Sequence, residues 1–190
     1  KQQESMNKLY PLGHIGTYLS RQRLFFSDYI EFQSRKKEAS SYAAMLSIKR
    51  YPTQTTSVIL DSLLHMDCEY ISTNSFFMES KDKAQRLISR HRRKMQNVND
   101  PAVSQIGALG LAQDHLASDR IVMGYHHNSL MLLSDDKEAL AFKVANAIKC
   151  YSDSGIIAVE ESIGQEPAFW SQIPGNAKMI ARSAMITSEN

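Results

Sequence analysis

The fold of this protein is decided by the stretch Asp119-Arg-Ile-Val-Met-Gly-Tyr-His-His-Asn-Ser-Leu-Met-Leu-Leu-Ser134. From His127 onward, Ser129 and Met131 share one face of a strand, while Leu130 and Leu132 share the other. Because both faces become apolar toward the end, the stretch predicts a long central strand covered on each side. Gly124 interrupts the alternation and predicts a β-bulge, which would re-aim the side chains after it.

The composition is that of an ordinary globular domain. The chain has 190 residues, of which 43% are hydrophobic and 22% charged, so it can bury one core, or one core with a small appendage. Its net charge of +2 does not by itself indicate nucleic-acid binding. No window approaches the roughly 20 apolar residues that span a bilayer. Cys68 and Cys150 offer no disulfide framework, which fits a reducing compartment or core positions.

Hydrophobic periodicity predicts strands and helices in a definite order. The predicted elements are a strand at Tyr29–Gln33, a hairpin loop at 34–40, a strand at Tyr42–Lys49, a helix with the stripe Ile59, Leu60, Leu63 and Leu64, a strand at Cys68–Phe77, a helical hairpin from Ser80 to Ala117, the central strand, a helix with Leu140, Val144, Ala147, Ile148 and Tyr151 inward, and a strand at Ile156–Glu160.

From Tyr42 to Glu161 this order predicts an α+β fold, with a ferredoxin-like antiparallel sheet (β-α-β-β-α-β), an extra N-terminal hairpin strand and an inserted helical hairpin. Two placements stay open, because Tyr29–Gln33 and Ile156–Glu160 compete for the same edge of Tyr42–Lys49. The domain prediction is a lead-in at 1–22, the α+β domain at 23–162 with the hairpin at 80–117, and a segment at 163–190 that leads toward a further domain.

No stretch carries a recognisable reactive constellation. A phosphate loop needs Gly-x-x-x-x-Gly-Lys-Ser/Thr, and none of the eight glycines is followed by Lys. His126 and His127 point to opposite faces of a strand, so they cannot readily chelate one metal ion. Glu160 and Glu161 are split in the same way. The sequence therefore predicts no catalytic residue, no cofactor site and no metal site in this chain.

The strongest charge feature is the segment 81–94, which holds seven basic residues and one acid. On a helix, a basic row lies opposite an apolar stripe; the row is Lys83, Arg86, Arg90 and Arg93, and the stripe is Ala84, Leu87, Ile88, His91, Met95 and Val98. We call the row the cationic ridge. It is either a solvated helix face or a contact surface for an acidic protein partner, a lipid surface or nucleic acid. The aromatic RNA-binding signature of ferredoxin-like modules is absent, which weakens the nucleic-acid interpretation.

Phe169-Trp170, followed by Pro174-Gly175, predicts an aromatic anchor that packs back on the sheet.

Several stretches of the chain are distinctive when taken together. They are Ser20-Arg-Gln-Arg-Leu-Phe-Phe26, Tyr42-Ala-Ala-Met-Leu-Ser-Ile-Lys-Arg-Tyr-Pro52, Leu60-Asp-Ser-Leu-Leu64, Ser75-Phe-Phe77, Ala102-Val-Ser-Gln105, Val122-Met-Gly-Tyr-His-His127 and Phe169-Trp-Ser-Gln-Ile-Pro-Gly-Asn176. These stretches resemble the VirB/TrbE/CagE family of type IV secretion and conjugal-transfer ATPases. The last is the most specific, because family members carry a similar motif before the motor domain.

The resemblance implies that the chain, which begins with Lys1, is a piece of a longer bacterial protein. That protein would continue into a motor domain that binds ATP and Mg²⁺ and hydrolyses ATP, with its catalytic residues beyond Asn190. The piece would be a non-catalytic docking and assembly domain, cytoplasmic and peripheral at the inner membrane. Its implied partners are inner-membrane secretion subunits and further copies of the protein. A nucleic-acid-contacting domain of a conjugation motor is the alternative; a free-standing enzyme has no site to support it.

Overall fold

The computed structural model of the chain describes residues 22–33, 40–52, 55–56, 58–97 and 103–188. These residues form one seven-stranded sheet and five α-helices. In chain order the elements are β1 (Arg23–Phe26), β2 (Ile30–Gln33), β3 (Ser41–Arg50), α1 (Asp61–Leu64), β4 (Tyr70–Met78), α2 (Lys81–Asn97), α3 (Val103–Ala117), β5 (Met123–Ser134), α4 (Lys137–Asp153), β6 (Ile157–Glu160), α5 (Gln165–Ser171), a 3₁₀ turn (Ala177–Met179) and β7 (Ala184–Thr187).

The predicted α+β class and strand order are confirmed. β6, β3, β5 and β4 lie side by side with every pairing antiparallel, which is the ferredoxin-like arrangement, and the helical hairpin is inserted between β4 and β5. β1 and β2 form the additional N-terminal hairpin next to β3. The predicted hairpin loop at 34–40 lies outside the described residues, except for Ser40.

The competition for the edge of β3 is resolved because that edge is divided between two strands. β2 pairs with the first part of β3, from Ser41 to Ala43, and β6 pairs with the second part, from Leu46 to Arg50. Ten residues of β3 are long enough to hydrogen-bond two four-residue strands in sequence. Both predicted pairings therefore exist together.

β5 is shared in the same manner. β4 pairs with one of its edges over nine consecutive residues, whereas the other edge is occupied by β3 at Ser129–Ser134 and by β7 at Met123–His126. β7 comes from the segment that was assigned outside the α+β domain, so the sheet extends beyond the range 23–162. Backbone groups buried in a sheet must be paired, and β7 supplies partners where β3 does not reach.

The bulge predicted at Gly124 is wrong. Pairing between β4 and β5 is continuous through Met78↔Gly124, and the register shift in the sheet lies in β3, between Ile48 and Arg50. The glycine is needed for close approach: a Cβ atom at position 124 would lie 2.5 Å from both Phe76 Cζ and the Phe77 carbonyl oxygen. A glycine inside a strand is compatible with a β-bulge or with the close approach of other atoms. Only the tertiary contacts distinguish these two roles.

The main core lies between one face of the sheet and α4. Asp136 caps this helix, since its carboxylate accepts a hydrogen bond from the backbone N–H of Ala139 at 2.7 Å. The inward side chains of α4 meet the apolar side chains of β3 and β5, and the buried set is Ala44, Leu46, Ile48, Leu130, Leu132, Leu140, Val144, Ala147 and Tyr151. Tyr151 keeps its hydroxyl satisfied by donating to Asn128 Oδ1 at 2.9 Å. The predicted inward stripe of α4 is confirmed.

The opposite face of the sheet is covered by α5. Phe169 packs over Met45 and Met131, and its ring makes edge contacts with Phe26 and Phe32 at centroid distances of 5.6 and 6.2 Å. Trp170 lies against Phe26 and is only partly buried. The aromatic pair therefore packs back on the sheet as predicted; both rings are partly buried, and Phe169 is the one that contacts the buried cluster.

The helix predicted from the stripe at 59–64 is shorter than expected. The helix α1 covers only Asp61–Leu64, and the side chain of Leu64 is 72% exposed. Leu63 is buried and reaches the main core. Ile59 and Leu60 are partly buried against the same core, so Leu64 is the member of the predicted stripe that faces solvent.

Gly124→Ala is expected to lower the free energy of unfolding by about 1–3 kcal/mol, because the new methyl group would press on backbone as well as on the Phe76 ring. Gly107→Ala in α3 is the matched control, since nothing lies within 4 Å of its Cβ position. Alanine favours a helix interior by about 0.8–1 kcal/mol over glycine, so this control should be neutral or stabilising. Urea denaturation monitored by circular dichroism measures both changes. Equal stability of the two variants would contradict the close-approach explanation.

Candidate partner-binding surface

The helical hairpin of α2 and α3 is held to the sheet by a small separate core. Ala84 and Ile88 of α2 meet Leu116 of α3, and both helices rest on Ile121 and Met123, where β5 begins. Met95, two helical turns after Ile88, is also buried. This apolar side of α2 follows from the 3.6-residue period of its sequence.

The base of the hairpin is closed by Lys81. Its ammonium group lies 2.6 Å from the Asp119 carboxylate and donates to the carbonyl oxygen of Ala117 at 2.8 Å. Asp119 has a φ of 58°, the left-handed conformation that ends α3. Lys81 therefore joins the first turn of α2 to the end of α3. Sequence reasoning did not find this role, because the two residues are 38 positions apart.

All four residues of the cationic ridge are exposed on α2, on the side away from Ala84 and Ile88. Lys83 differs from the others because its ammonium group lies 2.5 Å from the Glu79 carboxylate. Its hydrogen bond with Glu79 raises the pKa of Lys83, and the same bond lowers the pKa of Glu79. In the described part of the chain, Arg86, Arg90 and Arg93 make no ion pair.

These three arginines line an open groove of about 860 Å³ along α2. Lys94 adds a fourth cation, and Asp82 is the one carboxylate among the lining residues. Gln113 of α3 crosses one side of the groove and donates to the hydroxyl of Ser89 at 2.8 Å. The arrangement can bind carboxylate or phosphate oxygens, since guanidinium groups offer paired N–H donors. No aromatic side chain is among the residues that line it.

His91 does not belong to the buried stripe as predicted. Its side chain is exposed, because the hairpin core ends at Ile88 and resumes at Met95. Val98, the last predicted residue of the stripe, lies outside the described residues.

His126 and His127 point to opposite faces of β5, as predicted. His127 is buried: its Nδ1–H donates to the carbonyl oxygen of Arg182 at 2.7 Å, and its Nε2 lies 3.2 Å from the Ser171 hydroxyl. His126 is half-buried and hydrogen-bonds to the Tyr51 hydroxyl through Nδ1. Burial raises the pKa of Tyr51 to about 12, so the phenol stays protonated as the donor.

Glu161 also has a structural partner. Its carboxylate is buried and accepts from Arg182 Nε at 2.5 Å. Together with His127, this ion pair ties the segment before β7 to the sheet. Glu160 is more exposed than Glu161. The partial burial that remains raises the pKa of the Glu160 carboxyl. Across the described residues, no group of three or more His, Cys, Asp or Glu side chains is arranged to hold a metal ion.

Comparison with known proteins matches residues 5–182 to the CagE, TrbE, VirB family, described as a component of the type IV transporter system. The chain is 38% identical over 156 residues to protein virB4 of Rhizobium radiobacter. It is 37% identical over 179 residues to type IV secretion system protein virB4 of Bartonella henselae, and 33% identical over 180 residues to type IV secretion system protein PtlC of Bordetella pertussis.

This chain belongs to the CagE, TrbE, VirB family. The match covers nearly the whole sequence, which confirms the resemblance seen in its motifs. The aligned region amounts to 82–95% of this chain but only 20–23% of each of these three relatives. The chain thus spans about a fifth of the length of the curated relatives it matches. Among the described residues of this family member, no helix has the length and apolar character needed to cross a bilayer.

The environment of His126 predicts a pH dependence of stability. Burial, and next the charge of His127, hold the pKa of His126 below its ordinary value of 6.5. The unfolded chain therefore takes up this proton at a higher pH than the folded chain does. The free energy of unfolding should fall as the pH drops through about 6.5 toward the lowered pKa of His126.

His126→Gln should flatten that decline, while His65→Gln, at an exposed position, serves as the control. The measurement is urea denaturation of the parent and both variants at a series of pH values between neutral and mildly acidic. If the parent and His126→Gln lose stability in parallel, the pH dependence comes from other groups.

Proposed function

We propose that this chain is a docking and assembly domain of a type IV secretion ATPase and that it carries no catalytic residues. The observation that carries the proposal is a basic helix face held in place by an independent apolar core, within a chain of the CagE, TrbE, VirB family. A folded domain that presents three arginines with no ion-pair partner among the described residues, and whose sequence has no phosphate loop, is suited to binding another subunit rather than to chemistry.

The relatives support the secretion role by name, since they are type IV secretion system proteins virB4 and PtlC. This chain corresponds to only about a fifth of their length. We propose that ATP and Mg²⁺ are bound by a motor domain elsewhere in the parent protein. The chain would connect that motor to the inner-membrane part of the secretion machine, and it would also support self-association.

The charge of the groove supports a proposal about the kind of partner. Arg86, Arg90 and Arg93 recur at helical spacing along one groove, so they can engage a row of carboxylates together. We propose that this partner is an acidic segment of an inner-membrane secretion subunit, which would place the domain peripherally on the cytoplasmic side. Rim charges of this kind mainly set the association rate and its salt dependence.

A nucleic-acid contact in a conjugation motor is the second candidate function. The same row of arginines favours it, because phosphates would take the places of carboxylates. The lining of the groove argues against it: single-stranded nucleic acid binding normally adds aromatic stacking platforms, and the described residues that line this groove include no aromatic side chain. We therefore rank the acidic protein partner first.

Replacing Arg86, Arg90 and Arg93 by Ala should leave the free energy of unfolding within about 0.5 kcal/mol of the parent, because exposed charges away from special features contribute little. Assembly of the parent protein with the secretion machine should weaken, and the defect should be largest at low salt, because added salt screens the charge contacts that only the parent makes. Co-purification of the membrane complex at several salt concentrations, with secretion as a second readout, measures this. DNA binding by the purified chain should remain weak and non-specific.

The matched control is a triple replacement of Lys49, Arg50 and Arg120 by Ala, which removes the same charge from exposed positions elsewhere. It should assemble like the parent. If an Arg86/Arg90/Arg93 variant folds, assembles and supports secretion like the parent at every salt concentration, the cationic ridge is a solvated helix face and not a binding surface. A DNA affinity whose salt slope falls by roughly 0.9 per arginine removed would favour the second function.

The purified chain should neither bind Mg-ATP tightly nor hydrolyse it. Without a phosphate loop, no preorganised set of backbone N–H groups and lysine surrounds the triphosphate charge. Isothermal titration with Mg-ATP and a phosphate-release assay check this expectation. ATP hydrolysis that co-purifies with the chain through repeated chromatography would refute this expectation.

A further inference from the structure

β4 is the outermost strand on its side of the sheet. One edge of β4 pairs with β5 over all nine residues from Tyr70 to Met78, with no irregularity in register. In the part of the chain that the structure describes, no strand pairs with the other edge. Nine residues make a long edge, and an unpaired edge of this length is a template for another strand.

Two hydrogen bonds show which backbone groups face outward. The N–H of Leu133 donates to the carbonyl of Glu69 at 3.0 Å, and the N–H of Glu79 donates to the carbonyl of Met123 at 2.8 Å. In an antiparallel pair such bonds recur at every second residue, so the odd-numbered residues of β4 bond to β5. The backbone groups that point away from the sheet belong to Tyr70, Ser72, Asn74, Phe76 and Met78.

Nothing in the sequence of β4 protects this edge. The strand reads Tyr-Ile-Ser-Thr-Asn-Ser-Phe-Phe-Met, without a charged residue, a proline or a glycine. Natural edge strands are usually blunted by lysine, proline, bulges or short length. Apolar side chains are also exposed on both faces of this strand: Ile71 is 48% exposed, Phe77 42% and Met78 78%.

We propose that β4 pairs with β4 of a second copy of this chain, antiparallel and symmetric about Asn74, to form one continuous sheet across two protomers. A two-fold axis at Asn74 places all five outward-facing residues in hydrogen-bonded pairs, which is the largest number that any symmetric register allows. The residue pairs are then Tyr70 with Met78, Ile71 with Phe77, Ser72 with Phe76, Thr73 with Ser75, and Asn74 with itself.

This register is self-complementary. Ile71 and Phe77, each about half exposed in one chain, lie opposite each other on one face, and Tyr70 and Met78 do so on the other. No charge meets a charge within the strand. Just outside it Glu79 lies opposite Glu69, and the ion pair of Glu79 with Lys83 at 2.5 Å reduces their repulsion.

The proposed pairing goes beyond the docking role of the cationic ridge and does not depend on it, because β4 and the ridge are separate surfaces. It specifies a surface for the self-association proposed above. A failure of this pairing would leave the ridge proposal intact, since the two are tested with different variants and different readouts.

The test uses the 190-residue chain and charge substitutions at Ile71 and Phe77. Ile71→Lys with Phe77→Lys places two like-charged pairs across the axis and should weaken the dimer by about tenfold or more. Ile71→Lys with Phe77→Glu places two opposite charges across the axis and should restore most of that loss. Phe142→Lys, at a 68% exposed position on α4, is the control and should dimerise like the parent. Sedimentation equilibrium measures all four proteins, and circular dichroism confirms that each is folded.

Hydrogen exchange followed by NMR gives a second, residue-specific readout. Odd-numbered amides of β4 should be protected at every protein concentration, because they bond to β5. Even-numbered amides should become protected only as the dimer forms. A chain that stays monomeric up to its solubility limit would overturn the proposal, as would a dimer unaffected by either double variant. Protection of the even-numbered amides in the monomer would also overturn it, by showing that the edge is covered within one chain.

Discussion

The structure depends on the need to pair and cover a single long strand. β5 has twelve residues, nine buried and three partly buried, so both of its edges require hydrogen-bonding partners and both of its faces require apolar cover. β4 satisfies one edge, and β3 and β7 divide the other. α4 covers one face, and α5 with the N-terminal hairpin covers the other. Each of these elements therefore pairs with an edge of β5 or covers one of its faces.

The same reasoning explains how an extended ferredoxin-like sheet is built. A four-stranded sheet of this type offers β3 one neighbour on each side, yet β3 is long enough for β2 and β6 to share one of its edges. The N-terminal hairpin thereby joins the sheet without displacing β6. At the far end of β5, β7 is held by the bond of His127 to the Arg182 carbonyl and by the pair of Arg182 with Glu161. Buried polar groups act here as specific anchors, because they are costly to leave unpaired.

The basic face of α2 is separate from the core. The apolar side of α2 is used for folding, while its basic side is left to solvent, so a partner can bind without disturbing the packing. Lys81 and Lys83 show that a basic residue on this helix is not by position alone a binding residue, since both are engaged by carboxylates within the chain. The family relationship gives these surfaces a context in type IV secretion.

Much of the site was predictable at the level of side-chain periodicity. Lys83, Arg86, Arg90 and Arg93 were placed on one exposed face because a helix repeats every 3.6 residues. The ion pair of Lys83 with Glu79 could also be predicted locally, because the two residues are four positions apart in the sequence. The partners of Lys81 and His126 carried no such signal, because Asp119 and Tyr51 are 38 and 75 positions away.

The sequence by itself determined the types of the elements from β2 to β6, the buried faces of β5 and α4, and the order of these strands, because alternation and helical periodicity are local and the antiparallel order follows from the order of elements. Only the tertiary structure decided that β7 joins the sheet, how the edges of β3 and β5 are shared, that Gly124 serves close approach rather than a bulge, and that Leu64 of α1 faces solvent. These outcomes depend on contacts between residues far apart in the chain. A local sequence pattern contains no information about which distant segment packs or pairs beside it.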